Sequence, residues 1–190
     1  MKRRVKNLLK KLKELEFLAY YDELTKVYNR RGFFEEAERI FKAVAYKRKE
    51  RERRTGYKIP LSLIFIDIDN FKMINDNFGH KTGDLVLEKV AKVLKERLRD
   101  SDVIGRLGGE EFVIALIGCD LNSAKKVAED LRVKIEKIAL KHKGKKIEIT
   151  ASLGVVTYKD EKSLSELINK ADKAMYKAKK QGKNRVVVLV

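Results

Sequence analysis

Residues 103–117 read VIGRLGGEEFVIALI. Val103–Leu107 and Phe112–Ile117 are two short runs of strand character joined through Gly108-Gly109. Glycine accepts the positive φ that hairpin turns need, so the stretch predicts paired antiparallel strands with Glu110 and Glu111 at the turn. Upstream, Asp84–Leu98 carries Leu85, Val86, Val90, Val93, Leu94 and Leu98 at helical spacing. Before that, Leu61–Asp67 is an apolar run that follows the only proline, Pro60, and predicts a buried strand. Downstream, about 122–140 predicts a helix and 147–158 a strand. Ser163 and Glu166 form a capping-box pattern ahead of Leu164, Leu167, Ile168, Ala171 and Met175, and Gly182 is placed to end that helix. Residues 185–190 predict a last strand. Strand, helix, strand, strand, helix, strand is the order of an α+β, ferredoxin-like split βαβ sheet with helices on one face, extended by the remaining helix and strand.

The N-terminal third reads differently. Val5, Leu8, Leu9, Leu12, Leu15 and Leu18 recur at helical spacing, which predicts an amphipathic helix over 1–19. Two readings stand side by side: packing against its own domain, or a coiled-coil stub pairing with a second chain. A second helix is predicted from about 32 to 54, ending in a charged run over 47–54 that reads as a solvated extension. The length fits a single domain with room for a short appendage.

The chain has 190 residues and a formal net charge of +17, of which residues 1–58, with 19 Lys/Arg and 9 Asp/Glu, supply 19 − 9 = +10. That excess points to phosphate-bearing partners: nucleic acid, nucleotides or an anionic membrane surface. Cys119 is alone and only two histidines are present, which removes a disulfide framework and the usual Cys/His zinc site. The longest apolar stretches are strand-sized, so no membrane segment is expected, and a reducing, cytoplasmic location fits best.

Acidic residues locate the chemistry. The first strand ends in Asp67-Ile68-Asp69, with Asp67 and Asp69 expected on one face, and the split βαβ order brings the hairpin carrying Glu110 and Glu111 beside it. Clustered carboxylates are stable together when protonated or when a cation neutralises them, and all-oxygen ligands suit Mg²⁺ with phosphate. The competing reading of the hairpin alone is a solvated acidic turn.

Gly108-Gly109-Glu110-Glu111-Phe112 resembles the signature of GGDEF domains, the diguanylate cyclases that condense two GTP into cyclic di-GMP and pyrophosphate. The resemblance extends to Asp22, Leu24, Thr25, Asn29, Arg30, Arg31 and Phe33, to residues 65–72, to 75–80 with Gly83 and Asp84, and to 174–184. It covers about residues 20–190. Lys26-Val27 depart from the usual Gly-Leu, and Lys183 stands where many members have Arg.

The resemblance implies a palm-like fold, a homodimer and a set of roles. Asp67, the Ile68 carbonyl and Glu110 would hold Mg²⁺, or Mn²⁺ in its place, against a triphosphate; Glu111 would assist deprotonation or a second metal. Gly108 and Gly109 would let the backbone approach the nucleotide. Asn75 and Asp84 would read the guanine edge, Asp84 through the N1 and N2 hydrogens that adenine does not offer; Asp84 as a helix N-cap is the alternative. Phe71 would wall the site or sit in the core, while Lys72, Lys179 and Lys183 would meet phosphate, the last two from one helical face. Arg99 and Asp102 resemble the RxxD site at which cyclic di-GMP inhibits. His80 is expected in a hydrogen-bonding loop role. A catalytically silent module that binds GTP or cyclic di-GMP is the alternative function, and a basic nucleic-acid-binding domain a more distant one.

Overall fold

The computed structural model describes residues 2–52 and 59–189. The elements are α1 (Lys2–Tyr20), α2 (Arg30–Glu52), β1 (Leu61–Ile68), α3 (Phe71–Phe78), α4 (His80–Arg97), β2 (Val103–Gly108), β3 (Glu111–Ile117), α5 (Leu121–Glu136), β4 (Leu140–His142), β5 (Lys145–Ile147), β6 (Ala151–Thr157), α6 (Leu164–Lys180) and β7 (Val186–Val188). Arg53, Arg54 and the side chains of the charged run before them lie outside the described residues, as does Val190.

Five strands form one sheet in the order β2-β3-β1-β6-β7, antiparallel except for the β6-β7 pair. This is the split βαβ order read from the sequence, with β7 added at one edge. All eight residues of β1 are buried. Period-two alternation divides them: Ile64, Ile66 and Ile68 pack with α3, α4 and α5, whereas Leu61, Leu63 and Phe65 pack with α2 and α6. The expectation of helices on one face therefore holds for the two crossover helices α4 and α5. It needs correction for α2 and α6, which cover the opposite face because those strand positions are apolar too.

Other boundaries move for local reasons. The helix expected over 84–98 starts at His80, so Asp84 lies in its second turn rather than at the N-cap, and His80 opens the helix rather than a loop. Residues 71–78, for which no element is expected, form α3; eight residues with four polar side chains carry too little periodicity to betray a helix. Gly79, at φ 81°, separates it from α4. The helix expected to reach residue 140 ends at Glu136, and a lysine-rich hairpin, β4-β5, turns through Lys143 and Gly144, both at positive φ. The strand expected over 147–158 is correspondingly split into β5 and β6.

The apolar stripe of α1 is not packed on its own domain: Val5, Leu8, Leu9, Leu12, Leu15 and Leu18 remain 51–65% exposed. Among the described residues no helix is long and apolar enough to cross a membrane.

α6 lies close on β6 because Gly154 has no side chain. A Cβ there would stand 2.1 Å from the Ala171 carbonyl oxygen and 2.2 Å from the Met175 nitrogen. Backbone on both sides leaves no room to yield, so Gly154→Ala should destabilise the chain by roughly 3 kcal/mol or more. Urea unfolding monitored by circular dichroism checks this; a midpoint within error of the parent would refute it.

Candidate active site

Asp67 is the last residue but one of β1, and the register places it directly opposite Glu111 on β3 and Ser152 on β6. It is 5% exposed. Oδ2 receives Lys179 Nζ at 2.7 Å, and Oδ1 is buried without a hydrogen-bond partner. Burial pushes the Asp67 carboxyl above its ordinary range; Lys179 opposes the rise, while Glu110 and Asp69 add to it. Glu111 is raised as well, first by burial, then by Asp67, Asp172 and Glu110. Asp67, Glu110 and Glu111 thus act on one another electrostatically at this strand end.

The hairpin is held by its own strand and by the N-terminal segment. Ile68 donates its N–H to the Glu110 carbonyl at 3.4 Å, tying the end of β1 to the turn. Arg106 on β2 donates from Nε to the Gly109 carbonyl at 2.9 Å and from Nη1 to both oxygens of Asp22 at 3.1 Å. Gly109 sits at φ 49°, the conformation the turn needed glycine for. A Cβ at Gly108 or Gly109 would meet no atom of the chain within 4 Å, so the space in front of the turn is open to a ligand.

Asp69 behaves differently from Asp67. It lies beyond β1, and its carboxylate accepts from Thr150 Oγ1 at 2.8 Å, Ser152 Oγ at 2.7 Å and the Asn184 N–H at 3.0 Å. That set satisfies it inside the fold, so it fastens the turn after α6 to β6 instead of facing a ligand. Lys183 belongs to this turn: it is not on the helical face of Lys179, as the spacing suggested, because α6 ends at Lys180. Lys183 and Asn184 both adopt left-handed φ, at 62° and 44°, and Lys183 Nζ reaches Asn70 Oδ1 at 2.5 Å.

On the other face, α3 and α4 meet at Gly83, where a Cβ would lie 1.9 Å from Asn75 Oδ1. That oxygen is buried and unpaired, a second acceptor without a partner. Asp84 follows Gly83 and is exposed, so the two residues expected to read guanine flank one contact. Phe71 is buried in the core and Lys72 is exposed.

Arg99 and Asp102 form a tight turn between α4 and β2: Asp102 accepts from the Arg99 N–H at 3.1 Å and returns its own N–H to the Arg99 carbonyl at 2.9 Å. With Tyr21, Tyr28 and Lys95 they line a cavity of about 410 Å³. This turn and the Gly108-Gly109 turn stand at opposite ends of β2, on the order of 15 Å apart at the usual rise per residue.

Among the described residues no three carboxylates, histidines or cysteines enclose a metal by themselves. The donor chemistry nevertheless suits Mg²⁺, which takes one or two carboxylates and fills its shell from phosphate and water. Asp67 with its unpaired buried oxygen, Glu110 and the Ile68 carbonyl are the residues that fit it. Sequence reasoning missed Thr150, Asp172, Asn184, Gly83 and Arg106. Of these, only Gly83 and Asn184 fell inside matched motifs, and nothing in the sequence pairs Arg106 with a carboxylate 84 positions away.

An α+β palm-like sheet with carboxylates delivered by its central strand defines the class of protein. The chain belongs to the GGDEF family: residues 19–185 match the family described as diguanylate cyclase, GGDEF domain. It is 45% identical over 132 residues to diguanylate cyclase A of Treponema denticola and 40% identical over 167 residues to diguanylate cyclase DosC of Escherichia coli, covering 69% and 87% of this chain. The chain spans only 36% and 34% of those relatives' lengths. Among solved structures, the coiled coil and GGDEF domain of Caulobacter crescentus DgcB in complex with c-di-GMP has TM-score 0.86 at 29% identity, covering 99% of this chain and 95% of that one. The active GGEEF domain of a diguanylate cyclase from Vibrio cholerae has TM-score 0.71 at 35% identity, covering 84% and 96%.

Both raised carboxyls bind protons on folding. Their contribution to stability is therefore full below the ordinary carboxylate pKa and is lost as pH rises through the raised values. Without metal, Glu111→Gln should stabilise the chain at neutral pH by up to about 1 kcal/mol, a figure kept small because the group is partly solvated. The gain should vanish on acidification to about pH 4. Thermal melts of both chains at the two pH values test this, and a gain of equal size at both would refute it.

Proposed function

We propose that this chain is a diguanylate cyclase domain over 20–190, with residues 1–19 as a dimerising helix, that condenses two GTP into cyclic di-GMP and two pyrophosphates. The observation that carries the reading is the buried, unpaired Oδ1 of Asp67 opposite Glu111, beside an open glycine turn. Family membership supports it, as does c-di-GMP in the DgcB structure.

Asp67, the Ile68 carbonyl and Glu110 would hold Mg²⁺. Bound there, that ion supplies charge neutralisation at the α-phosphate and lowers the pKa of the attacking 3′-hydroxyl. Lys72, Lys179 and Lys183 meet the triphosphate as point charges. Asn75 and Asp84 select guanine, since the Asp84 carboxylate accepts from N1 and N2 hydrogens and Asn75 Oδ1 has a free acceptor site. In each half reaction a 3′-oxygen forms a bond to the α-phosphorus of the other nucleotide as the bond to pyrophosphate breaks. Glu111, whose carboxyl is held above its usual range, would take the hydroxyl proton.

One site holds one GTP, so a symmetric product needs two chains face to face. The exposed stripe on α1 supports a parallel helix pair: Val5, Leu8, Leu12 and Leu15 alternate in steps of three and four. Arg99 and Asp102, at the far end of β2, make the inhibitory site for the product, Asp102 accepting from guanine and Arg99 donating to O6, N7 or phosphate. A cytoplasmic location, where GTP is available, completes the reading.

Purified dimer stripped of bound nucleotide should convert GTP with Mg²⁺ to cyclic di-GMP, identified by mass spectrometry. Glu110→Ala should lower the rate by at least about a hundredfold while leaving the melt unchanged. Absence of product from the parent dimer would refute the assignment. Arg99→Ala should raise the cyclic di-GMP concentration needed for half-inhibition by about tenfold or more; an unchanged inhibition curve would reject the second site.

A further inference from the structure

Lys179 and Asp67 are paired at 2.7 Å, with 31% and 7% of their side chains accessible. A carboxylate so enclosed needs a positive charge beside it, and removing one partner of such a pair leaves an uncompensated charge. The last turn of α6 supplies that charge from a fixed position: Met175 and Ala178 are buried, and Gly154 lets the helix rest on β6. Two neighbouring lysines are engaged elsewhere. Lys183 reaches Asn70, and Lys180 lies 4.8 Å over the Tyr176 ring. Lys179 thus occupies the oxygen beside the one that is left unpaired, on the residue identified above as the first candidate metal ligand.

We propose that Lys179 is a resident counter-cation, holding the Asp67 carboxylate in the nucleotide-free chain and passing to the substrate phosphates when a divalent cation arrives. The inference rests on the reading of Asp67 as a metal ligand. An ammonium and a divalent ion on one carboxylate repel, so the ion alone meets an Asp67 carboxylate whose own charge Lys179 already offsets. A triphosphate changes this by offering Lys179 a second anionic partner. Metal and nucleotide therefore bind with positive coupling, each raising the other's affinity by the same factor. Lys179 acts here as a positioning residue, and its effect on metal and on nucleotide has opposite sign.

Titration of the full chain with Mn²⁺ alone, free ion read by electron paramagnetic resonance, tests the proposal without turnover. Lys179→Met should tighten Mn²⁺ by about tenfold in the absence of nucleotide. Lys179→Arg should stay near the parent, and Lys180→Met, which removes a charge from the same turn, should change affinity by less than about twofold. Adding Asp67→Asn to Lys179→Met should abolish the gain. With Mn²⁺ present, 3′-deoxy-GTP, which lacks the attacking hydroxyl, should bind Lys179→Met about tenfold more weakly. Unchanged or weaker Mn²⁺ binding by Lys179→Met overturns the proposal, as does an equal gain in Lys180→Met. Should Lys179→Met not fold, the lysine ammonium resonance of the parent decides the question instead: it should move on adding Mg²⁺ with 3′-deoxy-GTP, and a static signal overturns the proposal. Failure of the parent to make cyclic di-GMP would refute the function while leaving the Mn²⁺ outcome readable.

Discussion

A carboxylate at the end of a strand buried on both faces is the constraint on which this site depends. β1 is hydrogen-bonded on one side to β3 and on the other to β6, and helices cover it above and below. Asp67 inherits that burial and cannot turn to water. Its charge must be balanced by what the neighbouring strands and α6 bring, and the register brings Glu111, which repels it. The balance falls to Lys179 in the ligand-free chain. A site that is electrostatically incomplete without a cation follows from strand order and burial before any chemistry is invoked.

Two polar braces keep this arrangement rigid. Asp69 gathers three donors from β6, the residue before it and the turn after α6, and Arg132 and Glu136 on α5 hold the Asn184 side chain at 2.9 and 2.8 Å. Consecutive left-handed residues without glycine are costly, roughly 1 kcal/mol or more each, and persist where such bonds over-determine them. The second brace runs from Asp22 through Arg106 to the Gly109 carbonyl. Burial raises the Asp22 carboxyl, but hydrogen bonds from Thr25 and the charge of Arg106 bring it below its usual value. The end of α1, where Phe17 and Tyr21 stack at 5.1 Å, is thereby joined to the glycine turn through a single arginine.

What was legible in the sequence was legible for a physical reason. The hairpin at 103–117, β1 and the capped α6 have strong periodicities and turn chemistry, and Ser163 does accept the Glu166 N–H at 3.2 Å. The carboxylates were found because an apolar run that ends in Asp is rare without a purpose. The unbroken apolar run of β1 is the mark of a strand covered on both faces, but the element order alone does not say which helices supply the second cover. Gly182 marks the end of α6 and so already places Lys183 beyond the helical face, but the left-handed conformations of Lys183 and Asn184 themselves have no signal in the sequence. Lys26 is similar: it adopts φ 57° where the resembling family usually has glycine, and its ammonium lies 5.1 Å over Phe17. Partnerships such as Asp22 with Arg106 are distant in sequence, and one sequence alone does not encode them visibly.

The net charge of +17 and the acidic site act over different ranges, which resolves their apparent conflict. Screening at physiological salt confines exposed charges to about 8 Å. A basic surface therefore hastens the approach of a polyanion but does not discriminate among nucleic acid, phospholipid and nucleotide. Discrimination requires groups that desolvate the ligand. Asn75 and Asp67 each hold a buried oxygen without a partner. Double-stranded nucleic acid offers neither a free guanine edge nor a triphosphate to such oxygens, whereas on the function proposed above a guanine nucleotide carrying its divalent ion would satisfy both at once.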